Sequence, residues 1–410
     1  MRKDTRPFYM LFFIGMIPLI MAIGNSMFIP LLPQMQYDLM LTTVESGWLL
    51  TSFSIPAALF VPIGGFLSDR FGRKKVALLG LMTIAFGCFI AAIANMLVID
   101  VFPFLLIGRV IQGLGAGTVT PLAMTMVSDL YQGEQRTRAL GSMEVFNGIG
   151  KVISPVIGGV ILGVSWTISF VLLLAMSVLA MTGIMIFIQE QAEDITEAEQ
   201  TCNRKKQLMN EFRLQWRWLV PIFLSGGIGM LLLFGFLFYF SFLVEEVNIT
   251  HSFVKGLILS LPLLGLTIIS YLTGRYLKGN EDSYKRIMIY SICVMIVAVG
   301  SLLLGDGLAL AIIGLMIYGC GFGSFLPAAN AALASIITPY LRGRIFSFYA
   351  MFRFLGVAFG PLIFGFWVGD TLQMVYNALF LLCFNGVIML YSWPCLPIGK
   401  PCGQDNFSHI

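Results

Sequence analysis

Residues 64–75 read GGFLSDRFGRKK, with an apolar segment of membrane-spanning length on either side. Two glycines, an acid, an arginine, a third glycine and three basic residues make a tight turn between two helices. The glycines allow backbone geometry and close helix approach that a β-carbon would obstruct. Arg70, Arg73, Lys74 and Lys75 cannot cross a bilayer cheaply, so the turn is expected on the cytoplasmic face. Asp69 is then an acid at a helix end among cations, where it can bond to the N-terminal amides of a neighbouring helix.

The composition around this turn is that of a membrane protein: 58% hydrophobic and 11% charged, with a mean hydropathy of +0.89, against roughly 25% charged in ordinary soluble domains. A chain of 410 residues has room for about twelve helices of about 20 residues each. An all-α membrane protein in contact with the lipid bilayer is expected, and a nucleic-acid partner is not. Residues 1–6 are basic, but the apolar run after them is too long for a signal peptide and lacks a small-residue cleavage site, so no cleavable leader is expected. Of the 25 Lys and Arg, 21 fall in segments expected inside and only Lys255 falls in an outer loop, which places both termini in the cytoplasm. The cysteines are scattered singly and the two histidines, His251 and His409, lie far apart, so neither a metal site, a cofactor nor a disulfide is expected.

The turn closely resembles the signature loop between the second and third helices of the major facilitator superfamily, G-x-L-x-D-R-x-G-R-K, with Gly65, Leu67, Asp69, Arg70, Gly72, Arg73 and Lys74 in the matching places. The resemblance implies that family's fold, two pseudo-symmetric six-helix bundles. It also implies that the loop is a cytoplasmic gate latch, with Asp69 and Arg73 as its working pair.

The expected first bundle occupies residues 1–188. Its first span, 8–32, carries Asn25, which either faces a cavity or bonds to another helix. The fourth span, 101–126, carries Arg109 about 13 Å below Asp100, near the middle of a core about 30 Å thick. A charge at that depth is rarely incidental. Gln112 shares its helical face. Arg109, Gln112, Gly113 and Gly115 resemble a second motif of the superfamily, R-x-x-Q-G-x-G, found mainly in proton-coupled members. The resemblance implies proton or substrate handling for Arg109; a structural pair with a buried partner is the other reading.

The fifth span reads ALGSMEVFNGIGKVISPVIGGVIL over 139–162. Spacings of three and four stack Glu144, Asn147 and Lys151 on one face, with Glu144 and Lys151 roughly 10 Å apart along the axis. Its second part resembles the antiporter motif of drug-exporting members, a glycine-rich run ending G-P-x-x-G-G. Pro155, Gly158 and Gly159 match, as a hinge; Ser154 stands where the family has glycine, and Lys151 is unusual in such a run. That resemblance implies export.

A cytoplasmic linker is expected at 189–217, amphipathic and anchoring around 208–218, then a second bundle at 218–393 and a polar tail at 394–410. Gly314 laid on Gly108 sets an offset of 206 that holds without a gap through Gly369. Glycines, prolines and arginines coincide along it, so spans ten and eleven are copies of four and five. The charges do not repeat: Leu315 replaces Arg109, Tyr318 replaces Gln112, and Ala350 and Val357 replace Glu144 and Lys151, while Arg353 stands opposite Asn147.

Two related halves imply a central cavity opening alternately to each side. Asn25, Arg109, Gln112, Glu144, Asn147, Lys151 and Arg353 are its candidate lining, with Phe234, Phe236, Phe238, Tyr239, Phe352 and Phe354 as apolar walls. No Walker sequence occurs, and Glu144 is the one acid expected inside a span. The proton gradient is therefore the expected driver, with Glu144 as carrier and Arg109 and Asp69 as coupling partners; a structural acid is the other reading of Glu144. Three intramembrane cations against one acid favour anionic or electron-rich amphipathic compounds. The expected function is proton-coupled export of drug-like compounds or secondary metabolites by a monomer. Siderophore export, import of a small nutrient and lipid flipping are the alternatives, and no catalytic cluster points to an enzyme.

Overall fold

The computed structural model describes residues 6–96, 100–188, 198–246, 251–277, 282–305, 307–336 and 342–391. Expectations about the acidic part of the linker and the tail lie outside these residues. Among the described residues there are only helices, and twelve helical segments are long and apolar enough to cross a membrane. In chain order, α1 (Arg6–Ser26) runs through a 3₁₀ turn (Ile29–Leu31) into the short α2 (Leu32–Asp38). After it come α3 (Thr43–Phe71), α4 (Arg73–Ile93), α5 (Val101–Leu130), α6 (Gly133–Leu162) and α7 (Thr167–Phe187). The second half comprises α8 (Ala198–Glu246), α9 (Ser252–Tyr276), α10 (Asp282–Ser301), α11 (Leu308–Ile336), α12 (Arg342–Gly365) and α13 (Thr371–Tyr391).

Local chemistry explains where these helices begin and end. Thr42 and Glu45 form a reciprocal capping box at the start of α3: the Thr42 hydroxyl accepts from the Glu45 amide, and the Glu45 carboxylate accepts from the Thr42 amide. At the other end a single residue, Gly72, separates α3 from α4, and its φ of 90° is one that L side chains rarely adopt. The signature glycine is thus a backbone requirement.

The two halves pack by the same rules. In the first, α5 lies against α3 and α4, and α1 against α6; in the second, α11 lies against α9 and α10, and α8 against α12. The repeat extends to individual contacts. Gly113 presses on the Phe53 backbone of α3, and its copy Gly319 presses on the Pro262 backbone of α9. A β-carbon at either would collide with a main-chain oxygen, so small residues here set the interhelical distance.

The halves meet along two seams, α3 with α12 and α6 with α9, which the repeat relates to each other. At the end opposite the signature turn the seams close on backbone. A β-carbon at Gly159 of α6 would lie 2.7 Å from the Ser252 carbonyl oxygen, and one at Gly365 of α12 would lie 3.3 Å from the Val44 Cα.

Where the sequence places the start of the second bundle at 218, the helix that carries it starts at Ala198. The second part of the linker is the leading end of α8, and α8 has 49 residues.

Candidate functional site

Arg109 is engaged on every side by neighbours from its own bundle. Its Nε donates to the Leu49 carbonyl at 2.9 Å, and its Nη1 donates to the Gly24 carbonyl at 3.0 Å and to Gln112 Oε1 at 2.8 Å. The Phe28 and Phe53 rings lie on the guanidinium, with centroids 4.4 and 4.6 Å from it. Charge-assisted bonds to carbonyls and two ring faces stand in for water. One side chain thereby ties α5 to α1 and α3.

This arrangement corrects the expected cavity lining. Arg109 and Gln112 are each 1% exposed and Asn25 is 6% exposed, so in this conformation all three are sealed inside the first bundle. Asn25 Oδ1 and Arg109 Nη2 are buried without a hydrogen-bond partner. One turn along in the second half, at the place of Gln112, the Tyr318 hydroxyl donates to the Gly229 carbonyl of α8 at 3.0 Å. A neutral phenol there makes the link that a guanidinium makes here.

The faces of α6 can be told apart by what each touches. Phe146 and Gly150 meet α1 and Gly158 meets Met27 and Pro30 just after it, while Gly148 and Gly159 meet α9. Val145, Ile149, Ile153 and Val160 are exposed on the opposite side, as a lipid-facing stripe should be. At 100° per residue, Glu144, Asn147 and Lys151 fall between the α1 and α9 contacts, on the side turned towards the second half. Glu144 is exposed there, and Asn147 and Lys151 are half-buried. Ser154, the departure from the glycine pattern, is buried and donates its hydroxyl to the Lys151 carbonyl at 3.1 Å, so it is accommodated within the helix.

Across the seam Lys151 interacts electrostatically with Arg353 of α12, and along its own helix with Glu144. Arg353 lies over the Tyr349 ring at 5.6 Å, and Phe223 of α8 stands 5.8 Å from Tyr349 and 5.5 Å from Phe352. Of the expected lining residues, Glu144, Asn147, Lys151 and Arg353 are thus gathered between the halves. The expected aromatic walls Phe234, Phe236 and Phe238 are instead core residues of the second bundle: Phe236 packs on Phe364 at 5.0 Å and Phe238 on Phe242 at 5.1 Å.

At the signature turn Arg73 pairs with Asp129 at the end of α5 and donates to the Thr125 carbonyl at 3.1 Å. Lys74 has a part that sequence reasoning missed. Its Nζ donates to the carbonyls of Met185 and Ile188 at 3.0 and 2.6 Å, capping the C-terminus of α7. Arg70 lies over the Phe71 ring at 5.4 Å, and Asp69 is exposed on the last turn of α3. Gly65 approaches α12 near Ser347, so the turn borders the α3–α12 seam. Pro155 and Gly158 lie deep in α6, with Gly158 against Met27, and Gly159 forms part of the far closure. Among the described residues no group of three His, Cys, Asp or Glu is placed to hold a metal ion.

The chain matches the model of the Major Facilitator Superfamily over residues 14–361 and 239–396. It is 32% identical over 350 residues to the bacillibactin exporter of Bacillus subtilis (strain 168), covering 85% of this chain and 87% of that one. It is 24% identical over 346 residues to the quinolone resistance protein NorA of Staphylococcus aureus (strain COL), covering 84% and 86%. Among solved structures, the D-xylose–proton symporter superposes with a TM-score of 0.77 at 14% identity, over 96% of this chain and 98% of the other. A bacterial homologue of the human lysosomal transporter Spinster, in an inward-facing and occupied conformation, superposes with a TM-score of 0.74 at 14% identity, over the same shares. At such identities the superpositions bear on the fold alone.

Proposed function

The chain belongs to the Major Facilitator Superfamily and is a multi-pass membrane transporter of small molecules, and on that premise we propose that it exports amphipathic compounds or secondary metabolites in exchange for protons. Export is supported by the two relatives named for efflux and resistance and by the glycine and proline run at 155–159 of α6. The observation that carries the reading is the charged face of α6, where Lys151 interacts with Arg353 of the other half and with Glu144 on its own helix. Ionisable groups in a membrane-embedded seam are costly unless used.

Glu144 is the proton carrier in this reading. It is exposed in the seam, so it can exchange protons with whichever side the passage faces, and its charge is felt by Lys151. Arg109 acts as a positioning residue that holds α1 and α3 on α5, so that a change at the seam moves the first bundle as one body. Asp69, Arg73 and their neighbours latch the seam at the turn end. The turn end faces the cytoplasm, and both termini lie on the cytoplasmic side of the cell membrane, because the basic residues gather there. The protein works as a single chain.

The test is flux of a quinolone in liposomes holding the purified protein under an imposed pH gradient. Proton-driven uptake into inside-out vesicles is expected, and Glu144→Gln should abolish it while leaving quinolone binding intact. Unchanged flux in Glu144→Gln removes the carboxylate from the mechanism. Flux in the opposite sense would make the protein an importer. Siderophore export is the second reading, favoured by the 32% identity to the bacillibactin exporter over most of both chains.

A further inference from the structure

We propose that Lys151 and Arg353, one from each half, form a binding site for an aromatic anion: a flat ring bearing a carboxylate or phenolate oxygen. This rests on the reading of the protein as a transporter whose passage runs between the halves, and it adds what the passage selects.

Charge imbalance at the seam is the first ground. Lys151 feels both Arg353 and Glu144. Among the described residues neither cation has a carboxylate within ion-pair distance. Two cations against one acid leave one positive charge over, and in a membrane-embedded site an uncompensated charge is strongly unfavourable. A substrate bearing a single negative charge closes that balance with Glu144 still ionised. The loaded passage is then electroneutral without carrying a proton, which is what the substrate leg of an exchange cycle requires.

The second ground is the surroundings of Arg353. Its guanidinium lies over Tyr349, and Phe223 and Phe352 complete an aromatic cluster on that side. Arg353 Nε is buried without a hydrogen-bond partner, and so is the hydroxyl of Tyr349, a residue only 1% exposed. A donor fork beside ring faces, with a spare N–H and a spare hydroxyl, suits a planar anion. The oxygen pairs with the guanidinium while the ring packs on Phe352, the half-buried member of the cluster; Tyr349 and Phe223 are core residues that back it.

The third ground is that the pair is not a product of the repeat. Arg353 stands opposite Asn147 and Lys151 stands opposite Val357, so the two cations sit one helical turn apart in the repeat frame. Neither half can make the site alone. An anion that engages both draws the halves together at this level, and its binding energy is available for closing the passage.

The experiment uses the full chain in lipid nanodiscs, with empty nanodiscs subtracted, and three probes sharing one ring system: 1-naphthoate, 1-naphthalenemethanol and protonated 1-naphthylmethylamine. Equilibrium binding of naphthoate should be about tenfold tighter than that of the alcohol, and the amine should bind most weakly. Lys151→Gln and Arg353→Gln should each weaken naphthoate about tenfold while leaving the alcohol within twofold, which also reports that the variants are folded. Arg353→Lys should keep the preference for the anion. Equal affinities for the three probes, or naphthoate binding indifferent to both glutamine variants, would overturn the proposal. Flux in the liposome assay is read separately. Cation-dependent naphthoate binding without gradient-driven flux keeps the site and removes the exporter; gradient-driven flux with charge-blind binding does the reverse.

Discussion

At the same depth the two halves solve one packing problem with different chemistry. In the first, α5 is tied to its neighbours by a guanidinium held by two carbonyls and Gln112 between two phenyl rings. In the second, α11 is tied to α8 by one phenol on one carbonyl, beside Phe236 at 6.0 Å. The small-residue contacts that set helix spacing are the same in both. The fold therefore needs the glycines twice and a mid-helix crosslink twice, but a buried charge once. What the halves share is the scaffold, and the buried guanidinium stands in one copy of it.

Five substitutions would break or sharpen that comparison. The largest effect is expected at the shared glycines. Gly113→Leu and Gly319→Leu each push a side chain into main chain, so each should cost about 3 kcal/mol or more. The yield of monodisperse protein and its melting temperature should fall alike for both, and a large difference between them would mean the repeat is not equivalent in packing. Next is Arg109→Lys, which keeps the charge but cannot reach three acceptors between two rings. It should cost about 2–3 kcal/mol in thermal unfolding and should slow transport. Tyr318→Phe removes only the bond to Gly229 and should cost about 1 kcal/mol with transport retained. If it matched Arg109→Lys in both readouts, the asymmetry between halves would be one of composition alone. The smallest effect belongs to Lys74→Met, which uncaps α7 at an accessible helix end. A loss of about 0.5 kcal/mol is expected there, read best as faster hydrogen exchange at the C-terminal turn of α7.

The architecture was legible because two signals agreed: apolar runs of spanning length punctuated by basic turns, and an offset of 206 that carried glycines and prolines in register. The charged face of α6 was legible as well, since helical spacing alone stacks Glu144, Asn147 and Lys151. The position of Arg109 was not. Two of its three hydrogen-bond partners are backbone carbonyls, and a carbonyl leaves no mark in a sequence, so the residue read as cavity lining before it read as a strut. The aromatic residues of α8 were misjudged for a related reason. Inside a membrane both the core face and the lipid face of a helix are apolar, so periodicity gives the faces without saying which one looks inward. Lys74 was hidden by its setting, because one lysine among several basic residues at a turn already satisfies the topology rule.

One feature of α8 reaches beyond the bilayer. Among the described residues the segment apolar enough to span begins at Trp216, whereas the helix begins at Ala198. At 1.5 Å per residue the intervening turns extend the span by about 27 Å. Such an extension behaves as a pointer fixed to the second bundle: a rocking of ten degrees or so would sweep its tip by about 5 Å. A label placed near residue 200 should therefore magnify motions that are much smaller at the seam, and make the working cycle visible by spectroscopy from outside the lipid.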